Sequence, residues 1–164
     1  MSSSREYSLT FAIAPPASVR PGVPFSLPVI VAVRPIGAAS SDPLQQLGAG
    51  ASLRDESGTS PSGGLTGTVS TSVRSRAGNT ANGYARLGPL RITTPGKYKL
   101  RVTLVNNTSS GVTVRGFIES SVIHVHAGAA ASQQPTPSQV SKLQSLIPEN
   151  IGISQADIVS WQQA

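Results

Sequence analysis

The sequence has no cysteine and few aromatic residues. The absence of cysteine from all 164 residues excludes disulfide bonds, thiolate metal sites and cysteine nucleophiles. Secreted sandwiches of this size often carry a disulfide, so the same absence favours a reducing compartment. Aromatic residues make up only 4% of the chain, and the core must therefore be built mainly from Val, Leu, Ile and Ala. At this length we expect one domain, or one domain with a tail.

Acidic residues are also scarce. The chain has 7 Asp and Glu residues against 13 Lys and Arg residues, which gives a formal net charge of +6. The imbalance comes as much from the shortage of acids as from an abundance of bases. Such a balance is compatible with binding to nucleic acid or to another anionic surface, but it does not by itself establish either.

Long apolar runs are absent as well. No window approaches the roughly 20 apolar residues that cross a bilayer, so we expect no contact with a membrane. The Ala12-Ile13-Ala14 segment is similar to a signal-peptide cleavage site, but Glu6, Ser8 and Thr10 interrupt the apolar stretch before it. These polar residues favour a β-strand over a signal peptide.

Motifs for catalysis and metal binding are missing. The sequence contains no G-x-S-x-G, H-E-x-x-H or Walker A motif, and the adjacent Asp55 and Glu56 fit a solvated loop. His124 and His126 would project from one face of a strand, as metal ligands can, but the sequence shows no third or fourth ligand for them. We therefore predict a protein that is not an enzyme, with no cofactor, no metal and no small-molecule substrate.

Short segments of alternating or continuous apolar residues are what the chain does contain. With 16 Gly and 13 Pro, the composition favours short strands joined by many turns. Besides a hairpin at 84–106, the pattern predicts strands at 7–13 and 65–73 and a buried central strand at 29–33. Residues 112–118 and 122–126 are either two short strands or one interrupted strand. This order predicts an all-β, antiparallel β-sandwich.

The hairpin is the most regular of these segments. Tyr98, Leu100, Val102 and Leu104 alternate with polar residues and predict a strand with one face on the core. A second apolar segment, 87–92, precedes it, and Thr94-Pro95-Gly96 is typical of a turn. The pattern predicts a β-hairpin with one apolar face and one basic face.

The domain boundaries follow from shifts in composition. We predict a disordered start at 1–6, a sandwich at 7–127 with a flexible excursion at 35–64, a linker at 128–135 and a helical segment at 136–164. In the helical segment Thr136 is a favourable N-cap followed by a proline, and Ser154 with Asp157 predicts a second capped helix.

Three arginines form the candidate DNA-binding set. If each strand crosses the sandwich once, loops 14–28, 74–83 and 107–111 meet at one end and bring Arg20, Arg74 and Arg76 together without any acid. Such a cluster can contact phosphates, although scattered solvated charge is the alternative. Aromatic residues are not interleaved with these bases along the chain, so stacking on single strands is not expected.

Trp161 is the candidate for contact with a partner or a second subunit. It lies in the second predicted helix, where it could instead dock that helix on the sandwich, because terminal helices are disordered unless they are tied down.

Segments along most of the chain resemble the fungal velvet-domain family. Residues 84–92 (YARLGPLRI) and 96–104 (GKYKLRVTL) resemble the family's stretch Y-F-x-F-P-D-L-S-V-R-x-x-G-x-Y-R-L-R-F-x-L. Residues 65–68 (LTGT) are similar to its L-x-G-T element, and 28–31 (PVIV) to its P-P-x-V-Q-L strand. The order of Tyr7-Ser8-Leu9, Pro16, Arg20 and Gly22 is similar to Y-x-L…Q-P-x-x-A-R-x-x-G. The end of the chain, from Pro135 to Ile153, resembles the family's P-T-x-L…L…G-x-x-I.

The resemblance implies a function as well as a fold. It implies an immunoglobulin-like, Rel-homology-like β-sandwich that binds double-stranded DNA as a dimer with itself or with another velvet-family protein. It also implies regulation of sporulation, development and secondary metabolism from the nucleus, with shuttling from the cytoplasm. Of the candidate arginines, only Arg20 falls where the family's N-terminal basic loop would place a DNA contact. The alternative is a velvet-like dimerisation module that has lost DNA binding.

Overall fold

The structure, a computed structural model, describes residues 6–25, 27–36, 46–58, 60–67, 69–72, 83–108, 111–129, 135–149 and 151–163. The strands in these ranges are β1 (Glu6–Ile13), β2 (Ser18–Val19), β3 (Val29–Ile36), β4 (Gln46–Asp55), β5 (Pro61–Ser62), β6 (Leu65–Gly67), β7 (Ser70–Ser72), β8 (Gly83–Leu87), β9 (Leu90–Ile92), β10 (Gly96–Thr108), β11 (Gly111–Glu119) and β12 (Ile123–Val125). The helices are α1 (Pro137–Leu146) and α2 (Gln155–Gln162), with a short 3₁₀ turn at Ile147–Glu149 between them.

The first sheet consists of β1, β3 and β8, with β3 in the middle and antiparallel to both neighbours. Val29, Val31 and Val33 lie in the core on one face of β3, and Ile30 lies in a second apolar cluster on the other face. A continuous apolar run suits such a strand, because neither of its faces meets water. The predicted buried central strand at 29–33 is confirmed.

The main sheet is built around β10. It contains β2, β12, β10, β4 and β5 in that order, with β11 also pairing with β10 and β7 pairing with β4. β4 pairs with β10 from Tyr98 to Asn107, whereas β12 and β11 share the opposite edge of β10. Leu100, Val102 and Leu104 point from β10 into the same core as the inward valines of β3. The all-β class is thus confirmed in its coarse form, and the packing of the sheets is consistent with a sandwich.

The predicted hairpin at 84–106 is wrong, although both of its apolar segments are strands. β9 pairs with β6 in a separate two-stranded sheet, and β10 belongs to the main sheet. The turn at Thr94 and Pro95 therefore connects two sheets, and the Tyr98 hydroxyl, 3.0 and 3.1 Å from their carbonyl oxygens, donates to this turn. The hairpin partner of β10 is β11. Alternation identifies the buried face of a strand but not its neighbour.

The expected flexible excursion at 35–64 contains one of the longest strands of the main sheet. β4 pairs with β10, β5 and β7, and its Leu53 is buried in the core, so this prediction is corrected for 46–55. Gly48 and Gly50 weaken the strand pattern because glycine lacks a side chain to pack. The strand expected at 65–73 is divided between β6 and β7, which lie in different sheets. Residues 1–5 and 37–45, within the predicted disordered start and excursion, lie outside the described residues.

The helices form a layer on the outer face of the first sheet. Both predicted N-caps are confirmed: Thr136 and Ser154 each form a capping box, with Gln139 and Asp157 respectively. Leu143, Leu146 and Ile158 of the helices pack with Ile13 and Ile30 of the first sheet.

An arginine of the first sheet holds the connection between the two helices. Nη1 of Arg86 donates to the carbonyl oxygens of Ile151 and Gly152, at 3.2 and 2.6 Å. The predicted helical segment is therefore a docked third layer rather than a free tail. None of the described helices is long and apolar enough to cross a membrane.

Candidate nucleic-acid interface

The outer face of the main sheet carries a row of basic side chains. Because Tyr98, Leu100 and Val102 point into the core, the alternation of a strand turns Lys97, Lys99 and Arg101 of β10 to the opposite face. The basic face predicted from the sequence is therefore present, but it belongs to a wide sheet rather than to a two-stranded hairpin.

β12 places two histidines beside this row. Ile123 and Val125 are buried, so His124 and His126 face outward, with their ring centroids 4.1 Å apart. His124 lies directly opposite Lys97 in the antiparallel register of β12 and β10. The structure thus confirms that the two imidazoles share a face, and it adds a lysine as their neighbour.

Arg20 reaches the same end of the sheet from β2. Val19 pairs with Val125, and the His126 amide donates to the Val19 carbonyl oxygen at 3.0 Å, so Arg20 follows next to His126. Its Nε donates to the Ala129 carbonyl oxygen at 2.7 Å, which orients the exposed guanidinium. We call Arg20, Lys97, His124 and His126 the basic end.

A fourth cation, Arg54, lies beside the row on the neighbouring strand β4. Arg54 is directly opposite Lys99 of β10, and both side chains face outward because Leu53 and Leu100 face the core. Like charges directly opposite each other destabilise a sheet. Nε of Arg54 is also buried without a hydrogen-bond partner among the residues that the structure describes. Within the described residues, no ion pair neutralises the positive charge of Arg54 and Lys99.

Carboxylates neutralise the row at only one described position. Nη2 of Arg101 lies 2.8 Å from Oε2 of Glu119, and Nε of Arg101 donates to the same oxygen at 3.0 Å. Asp55, at the end of β4, accepts a hydrogen bond from the Ser57 hydroxyl, and Glu56 is exposed on the following turn. Within the described ranges, Arg20, Arg54, Lys97 and Lys99 form no ion pair.

The predicted cluster of three arginines is only partly visible. Arg20 lies at the basic end, whereas Arg74 and Arg76 lie outside the described residues. Ser72 and Gly83, which border 73–82, belong to β7 and β8, and Ser72 lies beside Gly48 near the far end of β10. The structure therefore brings Arg20 together with Lys97 and the two histidines.

The prediction that loops 14–28 and 107–111 share one end is wrong. Loop 14–28 contains β2, which reaches the Gly96 end of β10 through β12, whereas the described residues of 107–111 lie at the other end of this strand, where Thr108 pairs with Gly111. The twelve residue steps from Gly96 to Thr108 separate the two ends by about 40 Å, since a strand rises about 3.3 Å per residue. The error arose because the assumed alternation left out β4 and counted 65–73 as one strand, whereas the structure divides that segment between β6 and β7.

Trp161 packs with the second apolar cluster and is half-buried. This packing agrees with a docking role for the residue, and its predicted contact with a partner stays a prediction.

Among the described residues, no further metal-ligating side chain joins the histidine pair. In the part of the chain that the structure describes, no group of three or more His, Cys, Asp and Glu residues could hold a metal ion. The neighbouring Lys97 also disfavours a cation at this position, because like charges repel.

The sequence indicates solvent-facing positions for His124, His126 and Lys97, but it does not show that these residues are neighbours in the sheet. The missing information was the pairing of β12 with β10 on one side and with β2 on the other. No protein-family model matches the sequence, and no curated protein is significantly similar to it.

Proposed function

We propose that this chain is a velvet-type regulator of transcription that binds duplex DNA through its basic end. The proposal includes an immunoglobulin-like, Rel-homology-like sandwich, action as a dimer and a nuclear location, all of which the sequence resemblance implies. One structural observation supports the proposal most. The pairing of β2, β12 and β10 brings Arg20, Lys97 and two histidines together, and among the described residues no acid forms an ion pair with Arg20 or Lys97.

The chemistry of the basic end suits a phosphate backbone. Arg20 is held by the Ala129 carbonyl oxygen through Nε, and its other two nitrogens make no hydrogen bond to described residues. These nitrogens can donate to one phosphate, Lys97 supplies a second positive charge, and the imidazoles can donate further hydrogen bonds. Such contacts orient a protein on DNA without reading its sequence.

Binding by this mechanism should depend steeply on salt. If about three phosphates are neutralised, the expected slope of log K against log salt is about −2.7, or roughly a 40-fold loss between 50 and 200 mM salt. A fluorescence anisotropy titration of a labelled duplex at these two concentrations measures the slope. Absence of binding even at 50 mM salt would contradict the proposal.

Two variants locate the interface. Arg20→Ala combined with Lys97→Ala should lower duplex affinity and flatten the salt dependence, because two phosphate contacts are lost. Lys142→Ala is the matched control, since Lys142 is an exposed cation on α1, in the helical layer. Equal affinity of both variants for the duplex would remove the basic end as the interface. The mass of the same sample in solution tests dimerisation.

A further inference from the structure

We infer that the outer face of the main sheet binds single-stranded nucleic acid, with one base stacked on Phe117 and the backbone following the cations of β10 and β4. This site lies further along the sheet than the basic end, and it takes a different ligand from the duplex considered above.

Phe117 is an exposed aromatic side chain that contacts a cation. It lies on β11 opposite Thr103, and 54% of the residue is exposed. The guanidinium carbon of Arg101 lies 4.1 Å from the ring centroid, and Arg101 is in turn held by Glu119. One side of the ring is thus supported by a cation that the protein itself positions. The exposed part of Phe117 leaves room for a planar ligand.

A shallow groove lies on the other side of Thr103. It has a volume of about 430 Å³, and its lining consists of Gly48, Ala49, Gly50, Ser70, Thr71, Thr103 and Val105. Gly48 and Gly50 pair with Val105 and Thr103, so the floor of the groove is bare backbone at these positions. The hydroxyl groups of the groove can donate to and accept from the edge of a base or from a sugar.

The cations extend from Phe117 towards the basic end. Arg101, Lys99 and Lys97 follow each other at two-residue intervals, or about 6.6 Å along the strand, and Arg54 stands opposite Lys99. Glu119 neutralises Arg101, but in the described residues no acid pairs with Lys99 or Arg54. The face therefore complements a chain of phosphodiester groups that lies across it.

The combination of these features favours a single strand. Stacking on an aromatic side chain requires an unpaired base, and a groove of backbone and small side chains tolerates any base. A duplex keeps its bases stacked inside and offers mainly phosphates to a flat face. Stacking was not expected from the sequence, because no aromatic residue is interleaved with Arg20, Arg74 and Arg76 along the chain. The pairing of β11 with β10 brings Phe117 beside Arg101 nevertheless.

A tryptophan reporter tests the stacking directly. Trp161 is the only tryptophan, so Trp161→Phe combined with Phe117→Trp places the sole indole at the site. Titration with oligo-dT and with oligo-U, each 12 nucleotides long, should quench its fluorescence, and comparison of the two shows whether DNA or RNA is preferred. A poly-glutamate peptide should not quench it. Absence of quenching by both oligonucleotides, or equal quenching by the peptide, would overturn the proposal.

Binding by alanine variants tests the specificity. Phe117→Ala should weaken oligonucleotide binding by roughly tenfold, because stacking of a base on an aromatic residue is lost. Val114→Ala is the matched control, because Val114 is also exposed on β11, at 64%, but cannot stack. Equal losses in the two variants would overturn the proposal.

Duplex binding distinguishes this site from the basic end. Phe117→Ala should leave duplex affinity unchanged, whereas Arg20→Ala should lower it. If duplex binding fails but Phe117→Ala weakens binding to the oligonucleotide, only the function proposed for the basic end is removed. If Phe117→Ala weakens binding to duplex and single strand equally, the single-strand site is removed.

Discussion

Gly67 shows how closely β6 and β9 approach each other. It pairs with Leu90, and a Cβ atom built on it would overlap the carbonyl oxygen of Pro89. Its φ of +108° is also a conformation that other residues rarely adopt. Both observations indicate that only glycine fits at this position.

Substitution of Gly67 should therefore destabilise the fold. Gly67→Ala should lower the free energy of unfolding by about 1–3 kcal/mol, because the backbone is strained and the strands must separate. Urea denaturation followed by circular dichroism measures this change. Gly63→Ala is the control, because nothing lies within 4 Å of the added atom. A stability change no larger than that of the control would show that β6 and β9 can separate at no cost.

The direction in which a side chain faces was predictable where it follows from neighbouring residues of the same strand. The outward direction of Lys97 and His124 follows from the buried neighbours of each residue in its own strand. The support of Phe117 by Arg101 was not predictable, because 16 residues separate them and only the register of two strands joins them.

At the scale of elements, α1 depends on a defined N-terminal cap. The Gln139 amide donates to the Thr136 hydroxyl at 3.2 Å, and the Gln139 side chain accepts from the Thr136 amide at 2.9 Å. These bonds satisfy two of the amides that a helix leaves unpaired at its start.

Loss of this cap should weaken the whole helical layer. Thr136→Ala should lower the free energy of unfolding by about 1 kcal/mol, the usual cost of removing an N-cap. Thermal denaturation measures the effect, and Ser138→Ala, an exposed change within α1, should cost nothing because alanine favours a helix. Equal stability of the two variants would indicate that the cap contributes little.

Elements with strong local signals were predictable, and those with weak signals were not. The caps of both helices and the apolar run of β3 are visible in short windows of sequence. β4 was not predictable as a strand, because its Gly48 and Gly50 lower the expected β-propensity. Its place in the sheet comes from pairing with β10, which supplies ten consecutive partners.

At the scale of the molecule, the first sheet separates two apolar clusters. One cluster lies between this sheet and the main sheet, and the other lies beneath the helices. Arg86 joins the helical layer to the first sheet by its bonds to Ile151 and Gly152. The helices therefore complete the burial of the first sheet.

Removal of the helical layer should expose that sheet. A chain that ends at residue 134 leaves Ile13 and Ile30 without the apolar side chains of α1 and α2, and it should lose stability and bind the dye ANS. Arg86→Ala in the full chain should have a smaller effect in the same direction. Equal stability of the shortened and full chains, without dye binding, would contradict the role of the layer.

The arrangement of the sheets as a whole was the least predictable feature. The all-β class and several of the strands follow from periodicity, but the partners of β10 are β4, β11 and β12, which lie at very different distances along the chain. Since every alternating strand offers a similar apolar face, pattern alone does not select among such partners. The site depends on these pairings. The sequence therefore indicates which face of its own strand each site residue occupies, but not which residues of other strands lie beside it.

The burial of β3 on both faces has a consequence for the way the molecule opens. Fluctuations at an edge strand or a helix end can release a few amides to solvent while the remaining structure persists. The amides of Val29 to Val33 lie between two strands and two apolar clusters, so they exchange with solvent only when both clusters come apart. Their slow hydrogen exchange would report the global free energy of unfolding.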